Sequence, residues 1–426
     1  MCSIGCACAK KCSGRTNNGK ITSMTKFHLF ADSNEGNVRD KLGKSEYSYF
    51  FVLKYFESLL QHMGEIEVHT DSPSRPTNLN LDEEMLFIFK APHNIPKEAL
   101  KYAIPVFAWE YDTIPSESWQ EDERNNWYYV FRNSPGTITH CQFSADQVKN
   151  EIGDDYPVAV IPAPLWDKYA PLASLPRSNN WSLNIDGYVV DSWNPPSDSA
   201  NIPQASSRIE FNGVVYTFVF NPNDGRKQWT EAVTAFIAAH EHNPNATLIL
   251  KLIQSDPVPG IQAVWDTINY LGYFKCRVVA IQSFLEKDSY DQLIVGTTFA
   301  LNSSRGEGQC LPLLEFMSAG TPTIAPRHTA MADYVFPDTS FIVKHTQSWS
   351  FWPHDPRMLL RCFSFPVVWD SLRNAFLESY QVATEDQARY QEMSQNATNF
   401  MKDFCSEEVL IKKIGEFISQ VKSYNS

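Results

Sequence analysis

From Phe27 onward, short apolar runs alternate with stretches of helical periodicity, the pattern of strand–helix units that feed a parallel sheet. Residues 27–30 read as a first strand. A polar loop with Gly36 and Gly43 follows. Tyr49, Val52, Phe56, Leu59 and Leu60 then fall on one face of a helix over 45–62. Residues 66–69, 85–89, 104–109 and 137–140 read as further strands. Ser144 with Gln147 matches a capping box for a short helix that Gly153 closes. The pattern then lapses: residues 171–206 carry Pro171, Pro176, Pro195, Pro196 and Pro203 among many Ser and Asn, the composition of a linker or insertion.

The second half is more regular. Residues 208–211 and 214–220 flank Asn212-Gly213, which predicts a hairpin, because a type I′ turn needs two residues tolerant of positive φ. Helical periodicity over 226–240, 260–271, 287–295 and 311–319 alternates with strands over 246–253, 276–281, 297–302 and 321–325. This repeated alternation predicts a doubly wound sheet. Near the end, Leu410, Ile411, Ile414, Phe417, Ile418 and Val421 keep helical spacing behind Ser406 as cap. The expected division is a disordered tail over 1–24, an α/β half over 25–170, the linker over 171–206, a second α/β half over 207–385, and helices over 386–426 that return to the first half.

Composition narrows the function. A length of 426 residues suits two or three domains, and 43% apolar residues suffice for their cores. A net charge of −13 argues against a nucleic-acid binder, whose footprint would be basic. Neither a run of 18 apolar residues nor an apolar signal core is present, so the chain reads as soluble and cytosolic. Cys2, Cys6, Cys8 and Cys12 crowd the N-terminus among basic residues. Their spacing could serve a metal or acyl groups, but it lacks C-x2-C knuckles, and the stretch reads as a disordered tail, with an extension preceding a start at Met24 as the alternative.

The chemistry concentrates between Ser303 and Pro322. A strand ends in a polar loop and a helix begins with Pro312 near its first position, where a missing N–H is harmless. The backbone amides of Gln309, Cys310 and Leu311 then face out of a helix N-terminus, an anion site, with Gly308 beside them in the loop. Glu307 lies in the loop and Glu315 about one turn into the helix, so two carboxylates can accept hydrogen bonds from sugar or ribose hydroxyls. Arg226 and Lys227, in the turn after the strand 214–220, bring two cations to the same sheet edge, suited to a diphosphate.

Glu307 and Glu315, eight apart within E-G-x-x-L-P-L-L-E-x-M-x-x-G-T-P, resemble the E-x7-E signature of the retaining glycosyltransferases called group 1 or family four. The resemblance is firm over 208–345 and loose over the N-terminal half. It implies a GT-B architecture: α/β, with two Rossmann-like doubly wound parallel-sheet domains facing a cleft. The first would hold the acceptor and the second a nucleotide-diphosphate sugar donor. By the same resemblance, Glu315 binds the donor ribose and Glu307 the transferred sugar. The amides of Gln309, Cys310 and Leu311 bind the diphosphate and sugar, and Arg226 and Lys227 face the diphosphate. Gly43 would stand in the acceptor-side loop.

The family's usual His after the fourth strand is missing from the 104–115 stretch, so Glu110, Tyr111 or Asp112 would stand in for it. The family commonly has Gly where Cys310 stands. The implied reaction is retaining and metal-independent, with no D-x-D string and no cofactor beyond the donor, and with a glycan or lipid-linked glycan as acceptor. The resemblance points to bacterial surface polysaccharide synthesis in the cytoplasm, with peripheral contact at the inner face of the cell membrane if the acceptor is lipid-linked. Alternatives are a non-catalytic nucleotide-sugar-binding protein and a phosphorylase or epimerase of the same architecture. Residues His93 and His140 read as structural, and at least half of the aromatics around Trp109 and Trp127 as core.

Overall fold

The computed structural model describes residues 25–70, 79–196, 202–353 and 355–426; the expected tail over 1–24, with its four cysteines, lies outside the described residues. The first domain holds strands β1 (Thr25–Ala31), β2 (Gly64–His69), β3 (Glu84–Phe89), β4 (Ala103–Phe107), β5 (Thr137–Thr139) and β6 (Val158–Val160). They form one parallel sheet in the order β2-β1-β3-β4-β5-β6. Its helices are α1 (Ser45–Leu60), α2 (Trp127–Arg132), α3 (Gln142–Ile152) and α4 (Trp166–Tyr169). The apolar face read from the sequence on α1 is the buried one: Val52, Phe56, Leu59 and Leu60 pack against Phe27 and Leu29 of β1.

The second domain contains β7 (Asn180–Asp191), β8 (Gln204–Asn212), β9 (Val214–Phe220), β10 (Ala246–Leu252), β11 (Arg277–Gln282), β12 (Phe299–Leu301), β13 (Thr323–Pro326) and β14 (Ser340–Val343). The order is β14-β13-β12-β9-β10-β11-β7-β8. The chain winds outward from β9 in both directions, so the topological switch point falls between β9 and β12, where ligands of doubly wound sheets bind. Its helices are α5 (Trp229–His240), α6 (Pro257–Tyr270), α7 (Lys287–Gly296) and α8 (Leu311–Ser318). A hairpin of β15 (Ser348–Phe351) and β16 (Arg361–Ser364) precedes α9 (Trp369–Glu385), α10 (Gln387–Cys405) and α11 (Glu407–Tyr424). Ser394 and Thr398 of α10 donate to the Gly320 and Ser318 carbonyls at the end of α8. Leu410, Ile414, Phe417 and Val421 of α11 join the core that holds α1.

Four expectations are corrected. The stretch over 171–206 is not a linker throughout: β7 pairs antiparallel with β11 and β8, and its Asp191 meets Arg277 of β11 at 2.7 Å. Asn212-Gly213 does not close a hairpin, because β8 pairs with β7 at the sheet edge whereas β9 pairs parallel with β10 and β12. The reason lies in patterning. β8 alternates exposed and buried residues, and β9 (VVYTFVF) is buried along almost its whole length, the habit of a central parallel strand. Gly213 is still required, with φ +71 and a Cβ that would sit 2.2 Å from the Asn245 carbonyl oxygen.

Ser144 is inside α3 rather than at its cap. The cap position is Cys141, and the Ser144 hydroxyl donates to the Trp109 carbonyl at 2.5 Å. Ser406 does occupy the cap position of α11, but its hydroxyl makes no capping bond; Asp167 Oδ2 accepts from the Glu407 N–H instead, at 2.7 Å.

Candidate functional site

A cleft of about 1230 Å³ opens between the two domains, lined from the first by the α1 region, the loop after β4, and Lys168 and Tyr169. From the second it is lined by the loops after β9, β10, β11 and β12 and by the start of α8. Ten of the eleven candidate residues reach this region. Gly43, Glu110, Arg226, Lys227, Glu307, Gly308, Gln309, Cys310, Leu311 and Glu315 all line it. Asp112 does not line it: its carboxylate accepts the Phe363 N–H of β16 at 2.7 Å, a tie between the first domain and the hairpin.

The loops after β9 and β12 interlock by charge. Lys227 Nζ lies 2.6 Å from Glu307 Oε1, which also accepts from Ser304 Oγ at 2.6 Å and Asn302 Nδ2 at 3.0 Å. Burial alone would push the Glu307 carboxyl up, but Lys227 and Arg226 outweigh it and hold the group below its ordinary range. Arg226 meets Glu110 of the first domain at 2.6 Å and Asp224 at 2.7 Å, and donates to the Gly306 carbonyl at 3.1 Å. Burial raises the Glu110 pKa against the pull of Arg226. The expectation of two cations open to a diphosphate is therefore modified. Both are already paired with carboxylates, and Arg226 serves as the bridge between the domains.

The start of α8 offers the cleft free backbone donors. Among the described residues the amides of Gln309, Cys310 and Leu311 have no acceptor, and they sit at the N-terminus of α8, whose dipole favours an anion. Cys310 takes φ +63 and ψ +71, the left-handed region that glycine enters freely. That conformation explains why a glycine would serve at this position. The Cys310 thiol is pushed up to about 12 by burial and so stays protonated, accepting from Asn302 Nδ2 at 3.1 Å.

Glu315 has an environment that sequence reasoning missed. Its Oε2 accepts from Tyr290 at 2.5 Å and its Oε1 from Tyr55 of α1 at 3.3 Å. Tyr55 in turn contacts Tyr169 at 3.3 Å and the Lys168 ammonium at 3.4 Å. Burial raises the Glu315 pKa even though Tyr290 and Lys168 oppose it. This tyrosine shell closes around the carboxylate from both domains.

His93 and His140, read as structural, also line the cleft. His140 Nδ1 meets the Ile161 carbonyl at 2.8 Å, while its Nε2 is buried without a hydrogen-bond partner among the described residues. Burial lowers its pKa to about 4, so the ring is neutral. Of the aromatics, Phe107, Trp109, Tyr111, Trp127 and Phe131 are core, joined by Trp352 at 4.5 Å from Trp109.

Lys251, near the end of β10, was also missed. It is buried at the cleft, its Nζ donating to the Leu252 carbonyl at 2.8 Å, and burial lowers its pKa from 10.5 to about 7. Between pH 7 and 10.5 the unfolded chain binds a proton that the folded chain does not, so this group makes stability rise with pH across that window and is fully penalising below it. Lys251→Met is expected to raise Tm at pH 7, with the gain vanishing as pH approaches 10.5. Thermal denaturation at pH 6, 7, 9 and 10.5 checks this, and a gain independent of pH would refute the assignment.

No family model matches the chain, and no curated protein does. Solved structures do. A glycosyltransferase from Rickettsia africae aligns at 12% identity over 94% of this chain and 99% of its own, with a TM-score of 0.57. HepE from Anabaena, in complex with UDP, aligns at 14% identity over 93% of this chain and 100% of its own, with a TM-score of 0.54. The pneumococcal O-GlcNAc transferase GtfA, in complex with UDP and GlcNAc, aligns at 12% identity with a TM-score of 0.48. This chain covers only 57% of GtfA's length. The fold is GT-B, two Rossmann-like domains facing a cleft.

Proposed function

We propose that the protein is a retaining, metal-independent glycosyltransferase that moves a sugar from a nucleotide-diphosphate sugar to a glycan or lipid-linked glycan. The observation that carries this reading is the convergence, at the switch point of the second domain, of a lysine-paired Glu307 with three unpartnered amides at the start of α8. In this reading the diphosphate rests on the amides of residues 309–311, Glu315 holds the ribose, and Glu307 holds the transferred sugar. The C1–O bond to phosphate breaks as the acceptor oxygen attacks C1 from the same face, and the departing phosphate oxygen takes the acceptor proton. Fixed amides and Lys227 stabilise the charge that develops on the leaving group. HepE is described in complex with UDP-glucose, so uridine diphosphate sugars are the first donors to try.

Selective thermal stabilisation by one nucleoside diphosphate and its sugars tests the donor site. NMR of the product tests stereochemistry: the retained anomer is expected, and the inverted anomer would overturn the mechanism. One observation favours a second reading, a nucleotide-sugar-binding protein without turnover: both Arg226 and Lys227 are neutralised by carboxylates. Stabilisation by a donor with neither transfer nor hydrolysis would select it. We place the activity in the cytoplasm, in bacterial surface polysaccharide synthesis, with peripheral membrane contact for a lipid-linked acceptor. Among the described residues no helix is long and apolar enough to cross a membrane.

The same reading depends on how closely the domains approach. A Cβ on Gly308 would lie 2.6 Å from the Trp109 nitrogen and 2.8 Å from the Ala108 Cβ, both in the first domain. Gly308→Ala must therefore hold the domains apart by a fraction of an ångström or more. Because misplacement on the order of 1 Å costs about 10²-fold in rate, kcat/KM is expected to fall by about that factor. Tm should change by no more than a few degrees, since each domain keeps its core. Steady-state kinetics beside thermal denaturation check this, and wild-type kcat/KM would refute it.

A further inference from the structure

Away from the cleft, strands β1 and β2 bring two histidines and a glutamate together on one face of the first sheet. The parallel register sets His28 opposite Glu67 and Phe30 opposite His69, so Lys26, His28, Glu67 and His69 all project from the same side. That side is opposite the α1 core, which takes Phe27 and Leu29. None of these residues lines the cleft.

His28 Nδ1 lies 3.0 Å from His69 Nε2, and Glu67 Oε2 lies 3.6 Å from His28 Nδ1. One ligand atom from each of the three residues falls within 4.8 Å of the others. Two imidazole nitrogens facing each other need a shared proton or a shared cation, since two lone pairs repel. His28 is 8% exposed, and its other nitrogen, Nε2, has no hydrogen-bond partner among the described residues and faces Glu84 Oε1 at 3.8 Å. At that distance Glu84 makes no hydrogen bond to the ring, but its charge favours a proton on Nε2, which would leave the Nδ1 lone pair for a metal. Lys26 Nζ lies 2.5 Å from the same Glu67 Oε2, so a bound ion displaces this ammonium, whose half-buried side chain can swing to solvent, or takes the other carboxylate oxygen.

We propose that His28 Nδ1, His69 Nε2 and the Glu67 carboxylate bind a zinc-class divalent cation that clamps edge strand β2 to β1. Two imidazoles and one carboxylate are a donor set that zinc accepts, with a fourth position left for water. Zn–N bonds of about 2.0–2.1 Å in tetrahedral geometry set the nitrogens roughly 3.4 Å apart, so the pair must open by a few tenths of an ångström and the rings, stacked at 24°, must turn for both lone pairs to converge on the ion. Glu67 and His69 reach the surface, which gives the ion a way in. The clamp also has a mechanical purpose. β2 is an edge strand, and among the described residues it pairs with β1 alone.

The test uses the full chain with Cys2, Cys6, Cys8 and Cys12 replaced by Ser, so that the terminal thiols do not compete. Titration with Co²⁺ followed by visible absorbance, and with Zn²⁺ by calorimetry, is expected to give one ion per chain and a rise in Tm. His69→Gln in the same background should lose the stoichiometric ion and the Tm rise, and Glu67→Gln should weaken binding at least tenfold. If His69→Gln fails to fold, the exposed Glu67→Gln decides alone. Unchanged affinity in either folded variant overturns the proposal, as does the absence of stoichiometric binding in the parent with the four N-terminal serines. The fold and the transferase reading stand under either result, because nothing in the cleft depends on these residues.

Discussion

Lys227→Met is expected to lower kcat/KM for sugar transfer by about 10²–10³-fold, the usual consequence of removing one fixed group that stabilises transition-state charge. It should also lower Tm, for a separable reason. Glu307 is buried, and without Lys227 Nζ at 2.6 Å its charge rests on Ser304, Asn302 and the more distant Arg226. Breaking one side of a buried ion pair typically costs about 3–5 kcal/mol because the other charge is left uncompensated. Glu307→Gln should destabilise less, since Lys227 keeps a polar partner, and should also abolish most of the turnover. The double variant Lys227→Met/Glu307→Gln is therefore expected to regain Tm relative to Lys227→Met while staying inactive. Denaturation and kinetics on the four members of the cycle separate the two roles. A double variant that recovered activity along with stability would show the pair to be scaffolding.

That the pair could be found at all reflects how the fold stores its information. Lys227 and Glu307 are 80 positions apart, but each sits in the loop directly after a strand, and those strands, β9 and β12, are neighbours. Helical and strand periods over 208–325 therefore fixed the order of elements, and the order placed both loops at the switch point. Arg226 was harder to read. Its role depends on Glu110, which arrives from the other domain, and no local pattern encodes a contact across a cleft. The missed elements have physical causes of their own. β6 has only three residues, all half-buried, and is too short to show a period. Asn212-Gly213 carried every local mark of a hairpin, yet tertiary pairing decided against it, since a strand apolar on both faces belongs in the middle of a sheet.

Glu315→Gln is expected to weaken nucleoside diphosphate binding by about 10- to 100-fold without lowering Tm. The affinity loss follows if ribose hydroxyls donate to this carboxylate, since a hydrogen bond to a charged group is worth about 1.5–3 kcal/mol and each 1.4 kcal/mol is tenfold. The stability side follows from burial. Burial raises the Glu315 pKa, so the folded protein bears a cost for the charge that an amide of the same shape does not. The shell that surrounds it sharpens the test. Tyr55 comes from α1 and Tyr290 from α7, so the ligand's hydroxyls must replace phenol donors that bridge the domains. Tyr55→Phe removes one such competitor and leaves the carboxylate in place, and it should bind nucleoside diphosphate at least as tightly as the parent. Calorimetry with UDP and its relatives on the parent and the two variants reads both effects. Equal affinity across all three would remove Glu315 from the donor site and leave the tyrosine shell as a purely structural closure between the domains.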